Sequence, residues 1–193
     1  RDSSTSRGLG DVYKRQSMNK TLFDDLDISY WHNSEYAQKY YVGITPTNEQ
    51  VEEVENELGY KLPQSYIALI KQQNGGMPIN TCFPTSVPTC WAENHIAISG
   101  IMGIDQNKPY SLCGEMGNSF WIEEWGYPAI GIAICTTPTA GHDMIFLDYH
   151  DISRTDEPTV VHIDQENGYK IITLAANFED FICGLVNGSK FKN

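Results

Sequence analysis

The pair His142-Asp143 contains the residue types used in base catalysis, because a carboxylate can orient an imidazole that accepts a proton. The two residues are adjacent at the start of a predicted strand, and neighbouring strand residues point to opposite faces of a sheet. A hydrogen bond between their side chains is therefore not expected. We expect instead that Gly141 provides the backbone geometry of a turn and that Asp143 bonds nearby amides.

Asp148 and His150 form a second pair that could do chemistry. They would share one face of a strand about 6.6 Å apart, which is twice the rise per strand residue, so one metal ion could contact both. A third ligand could come from His95, His162 or Asp164, but no spacing in the sequence selects one of them. We therefore predict no metal site.

The five cysteines are odd in number and include no Cys-x-x-Cys pair, which favours neither a disulfide framework nor a zinc knuckle. Cys82 or Cys90 could act as a thiol nucleophile with a distant histidine, but neither lies in a strand-to-helix elbow. Free structural thiols are expected. Phosphate-binding glycine loops are also absent from the sequence, because Gly75-Gly76 lacks the lysine that follows in such loops. No cofactor is predicted.

A seven-residue segment combines aromatic rings with carboxylates. It contains Trp121, Glu123, Glu124, Trp125 and Tyr127. Rigid rings beside negative charges suit the binding of a basic protein surface. In the alternative interpretation, the tryptophans belong to the core and the glutamates form a solvated rim. The glutamates are therefore the first choice for contacts with a partner.

His142 and Asp143 complete the predicted partner-binding set. A second acidic surface is predicted on a helix, with a solvated helix face as the competing interpretation. The acidic residues of that helix are Glu49, Glu52, Glu53 and Glu57.

The composition is that of a globular protein, with 193 residues, 40% hydrophobic and 20% charged, and it predicts one domain. The formal charge of -12 would repel nucleic acid, so a basic protein partner fits better. The alternative is that the acidity serves only to keep the protein soluble. No run approaches the roughly 18 apolar residues needed to cross a bilayer. We also expect no leader with a cleavage site. A cytoplasmic protein without a membrane partner is expected.

The first seventeen residues, RDSSTSRGLGDVYKRQS, have little apolar periodicity and resemble translated library-adapter sequence. We exclude residues 1–17 from the fold, although a genuine disordered basic tail is the alternative. Residues 18–193 are then predicted to form the domain, with its core at 44–187. Without the first seventeen residues the chain is still more acidic.

The candidate residues lie in or beside a predicted hairpin, from Ser119 to Tyr149. Its strands are two apolar runs, Ala129 to Cys135 and Asp143 to Tyr149, joined by a turn containing threonine, proline and glycine. Further strands are predicted within residues 95–104, 159–163 and 169–174. The segment from Met77 to Asn94 contains three prolines and is predicted to be a long loop without regular structure.

Helices are predicted on both sides of these strands. Thr45 and Pro46 favour a helix start, Gly59 can end that helix, and Pro63 begins a second helix. Asn177 can cap a final helix. The predicted fold class is α+β: a single domain with a mainly antiparallel central sheet, a two-helix N-terminal unit and a C-terminal helix.

Several motifs resemble the SUKH superfamily, which includes the fungal cell-wall assembly regulators and bacterial polymorphic-toxin immunity proteins. The matching positions are Ile44-Thr45, Leu58-Gly59, Leu62-Pro63, Tyr66, Asn74-Gly75-Gly76, Gly141-His142-Asp143, Asp148 and the closing helix NFEDFICGL. The segment 77–94 departs from the shorter connection of the family. The resemblance implies an α+β binding domain without shared catalytic residues, in bacteria commonly an immunity protein that neutralises a toxin, often a nuclease.

Three functional hypotheses follow. The first is an immunity protein that binds a basic toxin domain and performs no chemistry. The second is a regulatory scaffold that binds a cellular protein. The third, less favoured, is a hydrolase that uses His142, Asp148 or His150.

Overall fold

Three α-helices precede the central sheet and one follows it in the computed structural model, which describes residues 30–192. The helices are α1 (Glu35–Tyr40), α2 (Asn48–Leu58), α3 (Gln64–Gln72) and α4 (Phe178–Gly184). The strands are β1 (Cys82–Pro84), β2 (His95–Ala97), β3 (Gly100–Ile101), β4 (Gly131–Thr136), β5 (Asp143–Asp148), β6 (Thr159–Asp164) and β7 (Lys170–Ala175). The expectation for residues 1–17 lies outside the described residues.

The central sheet contains β3 to β7 in sequential order, and every neighbouring pair is antiparallel. Strands β1 and β2 form a separate two-stranded antiparallel ribbon. All residues of β4 and β5 are buried, which explains why both strands are nearly continuous apolar runs. The α+β fold class, the antiparallel sheet, the two-helix unit and the C-terminal helix are all confirmed.

Aromatic side chains join the last helix to elements from the first half of the chain. Phe178 of α4 contacts Tyr66 of α3 edge to face, with ring centroids 5.5 Å apart. Phe181 stacks on Phe83 of β1 at 5.2 Å. These contacts explain how the helices at the two ends of the sequence pack together.

The edge of β4 is completed by a side chain at the end that β3 does not reach. Asn118 accepts a hydrogen bond from the Ala133 amide at 2.8 Å and donates one to the Gly131 carbonyl at 3.3 Å. Because these backbone groups are buried, their pairing avoids the cost of unsatisfied polar atoms. The Asn118 side chain thus makes the hydrogen bonds that a neighbouring strand would otherwise make to this part of β4.

The predicted start of α2 is wrong by two residues. The N-cap is Thr47, whose hydroxyl accepts from the Gln50 amide, while the Gln50 side chain accepts from the Thr47 amide. This reciprocal capping box satisfies two amides, and Thr45 lacks this pairing because no glutamine or glutamate lies three residues after it. The predicted end is confirmed, since Gly59 adopts the left-handed conformation with a φ of 79°.

The prediction that residues 77–94 contain no regular structure is also wrong. The segment includes β1, which pairs with β2 in the register Cys82 to Ala97 and Pro84 to His95. Its three prolines obscured this strand, although a proline at the end of an edge strand is tolerated.

Helices in the described residues 30–192 all fall short of the length and apolar character required to span a lipid bilayer.

Candidate functional site

The turn between β4 and β5 supports the predicted partner-binding residues. At its centre, Gly141 has a φ of 103° and packs under two indole rings. A Cβ atom on Gly141 would lie 2.6 Å from Trp121 Cζ3 and 3.0 Å from Trp125 Cη2. The Tyr127 hydroxyl donates to the Gly141 carbonyl at 2.5 Å. The turn is therefore held by close packing and by a buried hydrogen bond.

A single π-helical turn, Phe120–Glu124, contains both acidic and aromatic side chains, which differ in their exposure to solvent. Trp121 is buried and its indole nitrogen donates to the Met116 carbonyl at 2.9 Å. Glu123 and Glu124 are exposed. The alternative interpretation therefore describes Trp121 correctly, while both glutamates are available to a partner.

His142 and Asp143 point apart, as the alternation of strand residues requires. His142 is half exposed, and its Nδ1 lies 3.2 Å from Glu166 Oε1. Its ring also contacts Trp125 edge to face, with centroids 5.7 Å apart. Asp143 is 1% exposed. The pair therefore does not form the hydrogen bond that catalysis would need.

Four of the seven predicted partner-binding residues reach the surface, whereas Trp121, Tyr127 and Asp143 are buried. Sequence reasoning missed Glu166, whose position depends on the pairing of β5 with β6. We name this surface the acidic-aromatic patch. It comprises Glu123, Glu124, Trp125, His142 and Glu166.

An apolar groove of about 340 Å³ is lined in part by residues of the same turn. Its walls include Gly141, Tyr36, Tyr110, Met77 and Met116. Tyr36 is 50% exposed. Methionine and tyrosine side chains are common in protein-binding surfaces because they adapt to a partner or supply a rigid ring.

A buried polar cluster lies below the turn. Asp143 Oδ2 is 2.7 Å from His162 Nε2, and Asp143 Oδ1 accepts from the hydroxyls of Thr137 and Thr139. Burial raises the pKa of Asp143, but the bonds from His162, Thr137 and Thr139 outweigh burial and lower the pKa below its ordinary value. The strand register produces this pair, because His162 is opposite Ile145 and thus diagonal to Asp143.

Cys90 extends this cluster, with its Sγ 3.8 Å from His162 Nε2. Partial burial, followed by the charges of Asp143 and Asp164, raises the pKa of Cys90 to about 12. The thiol is therefore protonated near neutral pH, and a protonated thiol is a poor nucleophile. This environment disfavours the thiol-nucleophile hypothesis.

Asp148 and His150 form a direct hydrogen bond, with 2.6 Å between Asp148 Oδ1 and His150 Nδ1. His150 Nε2 also lies 2.8 Å from Asp151 Oδ2. The sequence offered His95, His162 or Asp164 as a third metal ligand. Within residues 30–192, none of them forms a metal-binding group with Asp148 and His150. Both ring nitrogens of His150 therefore serve local ion pairs.

The acidic residues of α2 form a separate exposed surface. Glu49, Glu52, Glu53 and Glu57 are all exposed, which agrees with either a solvated helix face or a binding surface. Glu55 differs, because its side chain accepts from the Leu62 amide at 2.7 Å and pairs with Lys61.

Comparison with known protein families gives a match to the SMI1 / KNR4 family (SUKH-1) over residues 45–184. The chain therefore belongs to this family. The predicted resemblance to the SUKH superfamily is confirmed. No curated protein matches the chain significantly.

Within the SUKH-1 region, the Asn74-Gly75-Gly76 motif has a structural role. Asn74 donates to the Ile44 carbonyl and accepts from the Ile104 amide, both at 2.8 Å. Gly75 has a φ of 85°, and a Cβ there would lie 2.8 Å from the Tyr41 carbonyl oxygen. The motif thus joins the N-terminal helices to the chain entering the sheet.

Proposed function

We propose that this SUKH-1 protein is an immunity protein that binds a basic toxin domain one to one and performs no chemistry. The observation that carries the proposal is the acidic-aromatic patch, which combines three exposed carboxylates with Trp125 and His142 on a chain of this family. SUKH proteins include bacterial immunity proteins, and the formal charge of -12 suits a basic partner. A nuclease toxin fits this proposal, because nucleases carry basic surfaces for nucleic acid.

The patch and the apolar groove together support a protein partner. Residues of the 137–142 turn contribute to both features, since Gly141 lines the groove and His142 belongs to the patch, so one partner surface could contact both. Desolvated aromatic anchors beside a charged rim are the usual arrangement of energetically important interface residues. In this arrangement Trp125 supplies the anchor, and Glu123 and Glu124 steer the basic partner.

The direct test is a titration of the chain against the toxin-like domain encoded beside its gene, at low and high salt, with toxin activity measured in parallel. We expect one-to-one binding that abolishes toxin activity and weakens with salt, because screening reduces attraction between exposed charges. Absence of binding to any neighbouring gene product contradicts the immunity hypothesis.

A charge-reversal pair locates the surface. The double variant Glu123→Lys/Glu124→Lys should weaken binding by at least about tenfold, because it places like charges against the toxin. The matched control, Glu52→Lys/Glu53→Lys on α2, makes the same change in net charge elsewhere and should have a smaller effect. A larger loss in the control assigns binding to α2 instead.

The regulatory scaffold is the second candidate function, because the SUKH superfamily that the sequence resembles includes the fungal cell-wall assembly regulators. Pull-downs would then recover a cellular protein rather than the neighbouring gene product.

A hydrolase that uses His142, Asp148 or His150 would lose turnover in the variants His142→Ala and His150→Ala. We expect no turnover in the wild-type protein.

A further inference from the structure

Three potential metal ligands from separate segments converge under the 137–142 turn. Cys90 comes from the 85–94 loop, Asp143 begins β5, and His162 lies in β6. One ligand atom from each residue lies within 4.8 Å of the other two. Among residues 30–192, no other group of histidine, cysteine and acidic side chains has this proximity.

We propose that Cys90, Asp143 and His162 bind one zinc ion. The donor set supports this choice, because zinc accepts thiolate, imidazole and carboxylate ligands together, whereas calcium and magnesium prefer oxygen ligands alone. Three protein ligands leave a fourth tetrahedral position open. The ion therefore joins the 85–94 loop to two neighbouring strands of the central sheet.

The two distances from His162 Nε2 require only small movements. Bond lengths of about 2.3 Å to sulfur and about 2.0 Å to nitrogen place the two atoms roughly 3.6 Å apart in a tetrahedral site. The observed distance between Cys90 Sγ and His162 Nε2 is 3.8 Å. The 2.7 Å between Asp143 Oδ2 and His162 Nε2 is a hydrogen-bond distance, which must widen by roughly half an ångström when both atoms bind zinc.

Proton balance sets the expected strength of binding. The thiol proton of Cys90 leaves to solvent, and the imidazole proton must lie on Nδ1 when Nε2 binds the ion. His162 Nδ1 is buried and has no hydrogen-bond partner in the described part of the chain. Zinc-binding histidines normally donate this proton, and loss of such a partner costs about 10–100-fold in affinity. Binding should therefore be weaker than in closed structural zinc sites.

The residues around the proposed site favour a cation, and a cleft gives solvent access to it. A cleft of about 370 Å³ opens onto Cys90 and His162. Asp164 and Glu166 also line this cleft, with Lys170 as the opposing charge. Water could therefore reach the ion through this cleft.

The alternative is a purely structural Asp143–His162 pair with a cysteine packed beside it. Titration of the whole chain with cobalt(II), under a non-chelating reductant, separates the two possibilities because a cobalt–thiolate bond gives a near-ultraviolet charge-transfer band. We expect one equivalent to bind, with the spectrum of a tetrahedral site, and zinc to displace it. The variant Cys90→Ala should lose the band and more than about tenfold in affinity, because loss of an outer partner alone already costs about 10–100-fold.

Cys183→Ala is the matched control, because Cys183 is also a free, exposed cysteine but lies outside the cluster. It should retain the band. Thermal unfolding of both variants without metal checks that each is folded, and Cys90 is suited to this test because it is partly exposed rather than in the core. No binding by the wild-type protein up to millimolar metal, or an unchanged band in Cys90→Ala, would overturn the proposal.

Discussion

At the scale of single residues, Gly141 determines how the candidate surface is built. Its positive φ is a conformation that side-chain-bearing residues rarely adopt, and both Trp121 and Trp125 occupy the space where a Cβ would lie. The turn can therefore approach the two rings only because residue 141 has no side chain. The position of His142 on the surface depends on this approach.

We predict that Gly141→Ala lowers the free energy of unfolding by about 2–5 kcal/mol, combining the left-handed backbone cost with overpacking. Gly168→Ala is the control, because Gly168 has a φ of 63° but no atom within 4 Å of the added Cβ. It should cost only about 1–2 kcal/mol. Urea unfolding measures both values, and equal losses would show that the contact with the indoles contributes nothing.

His150 gives a prediction about pH. Hydrogen bonding to Asp148 and the negative charge of Asp148 raise the pKa of His150 above its ordinary value. The pair therefore stabilises the fold below the unfolded pKa of about 6.5, and this contribution disappears as pH rises through the folded pKa.

An NMR titration of His150 should show this raised pKa, and Asp148→Asn should return it toward about 6.5. Asp151→Asn should lower it less, because the Asp151 side chain is 83% exposed and its charge is screened by solvent. Equal shifts in the two variants would contradict the dominant role of Asp148.

At the scale of elements, two variants at the start of α2 can distinguish the predicted cap, Thr45, from the observed N-cap, Thr47. Thr47→Ala should destabilise the protein by about 1 kcal/mol, since it removes the side-chain acceptor for the Gln50 amide. Thr45→Ala is the matched control, and it should change stability by less than about 0.5 kcal/mol because Thr45 is exposed and does not cap the helix. Thermal unfolding of both variants tests this, and a larger loss for Thr45→Ala would restore the original assignment.

At the scale of the whole molecule, charge imbalance should affect stability. The formal charge is -12, and the Lys61–Glu55 contact is the single lysine or arginine ion pair found among residues 30–192. Like charges therefore outnumber compensating pairs, and their repulsion opposes the compact state.

Raising ionic strength to physiological levels should therefore increase the unfolding temperature. A gain of about 1 kcal/mol corresponds to roughly 2–4 °C for a domain of this size. Sodium and potassium chloride should act alike if screening is the cause. A fall in the unfolding temperature would show that attractive ion pairs dominate.

The amino-acid sequence by itself determined the α+β class, the helices and most of the strands. Their signals are local: Gly59 can adopt a left-handed end, Asn177 caps α4, and apolar runs form β4 and β5. It also identified the motifs of the SUKH superfamily. These features follow from backbone and capping preferences that act over a few residues.

Only the tertiary structure decided which candidate residues meet. Cys90 and His162 are 72 positions apart, and they approach each other because the 85–94 loop packs against β6. Asp143 meets His162 because of the register between β5 and β6. Packing likewise buried Trp121 and left Glu124 exposed. Such contacts depend on the balance of burial and hydrogen bonding between distant segments, which no short stretch of sequence specifies.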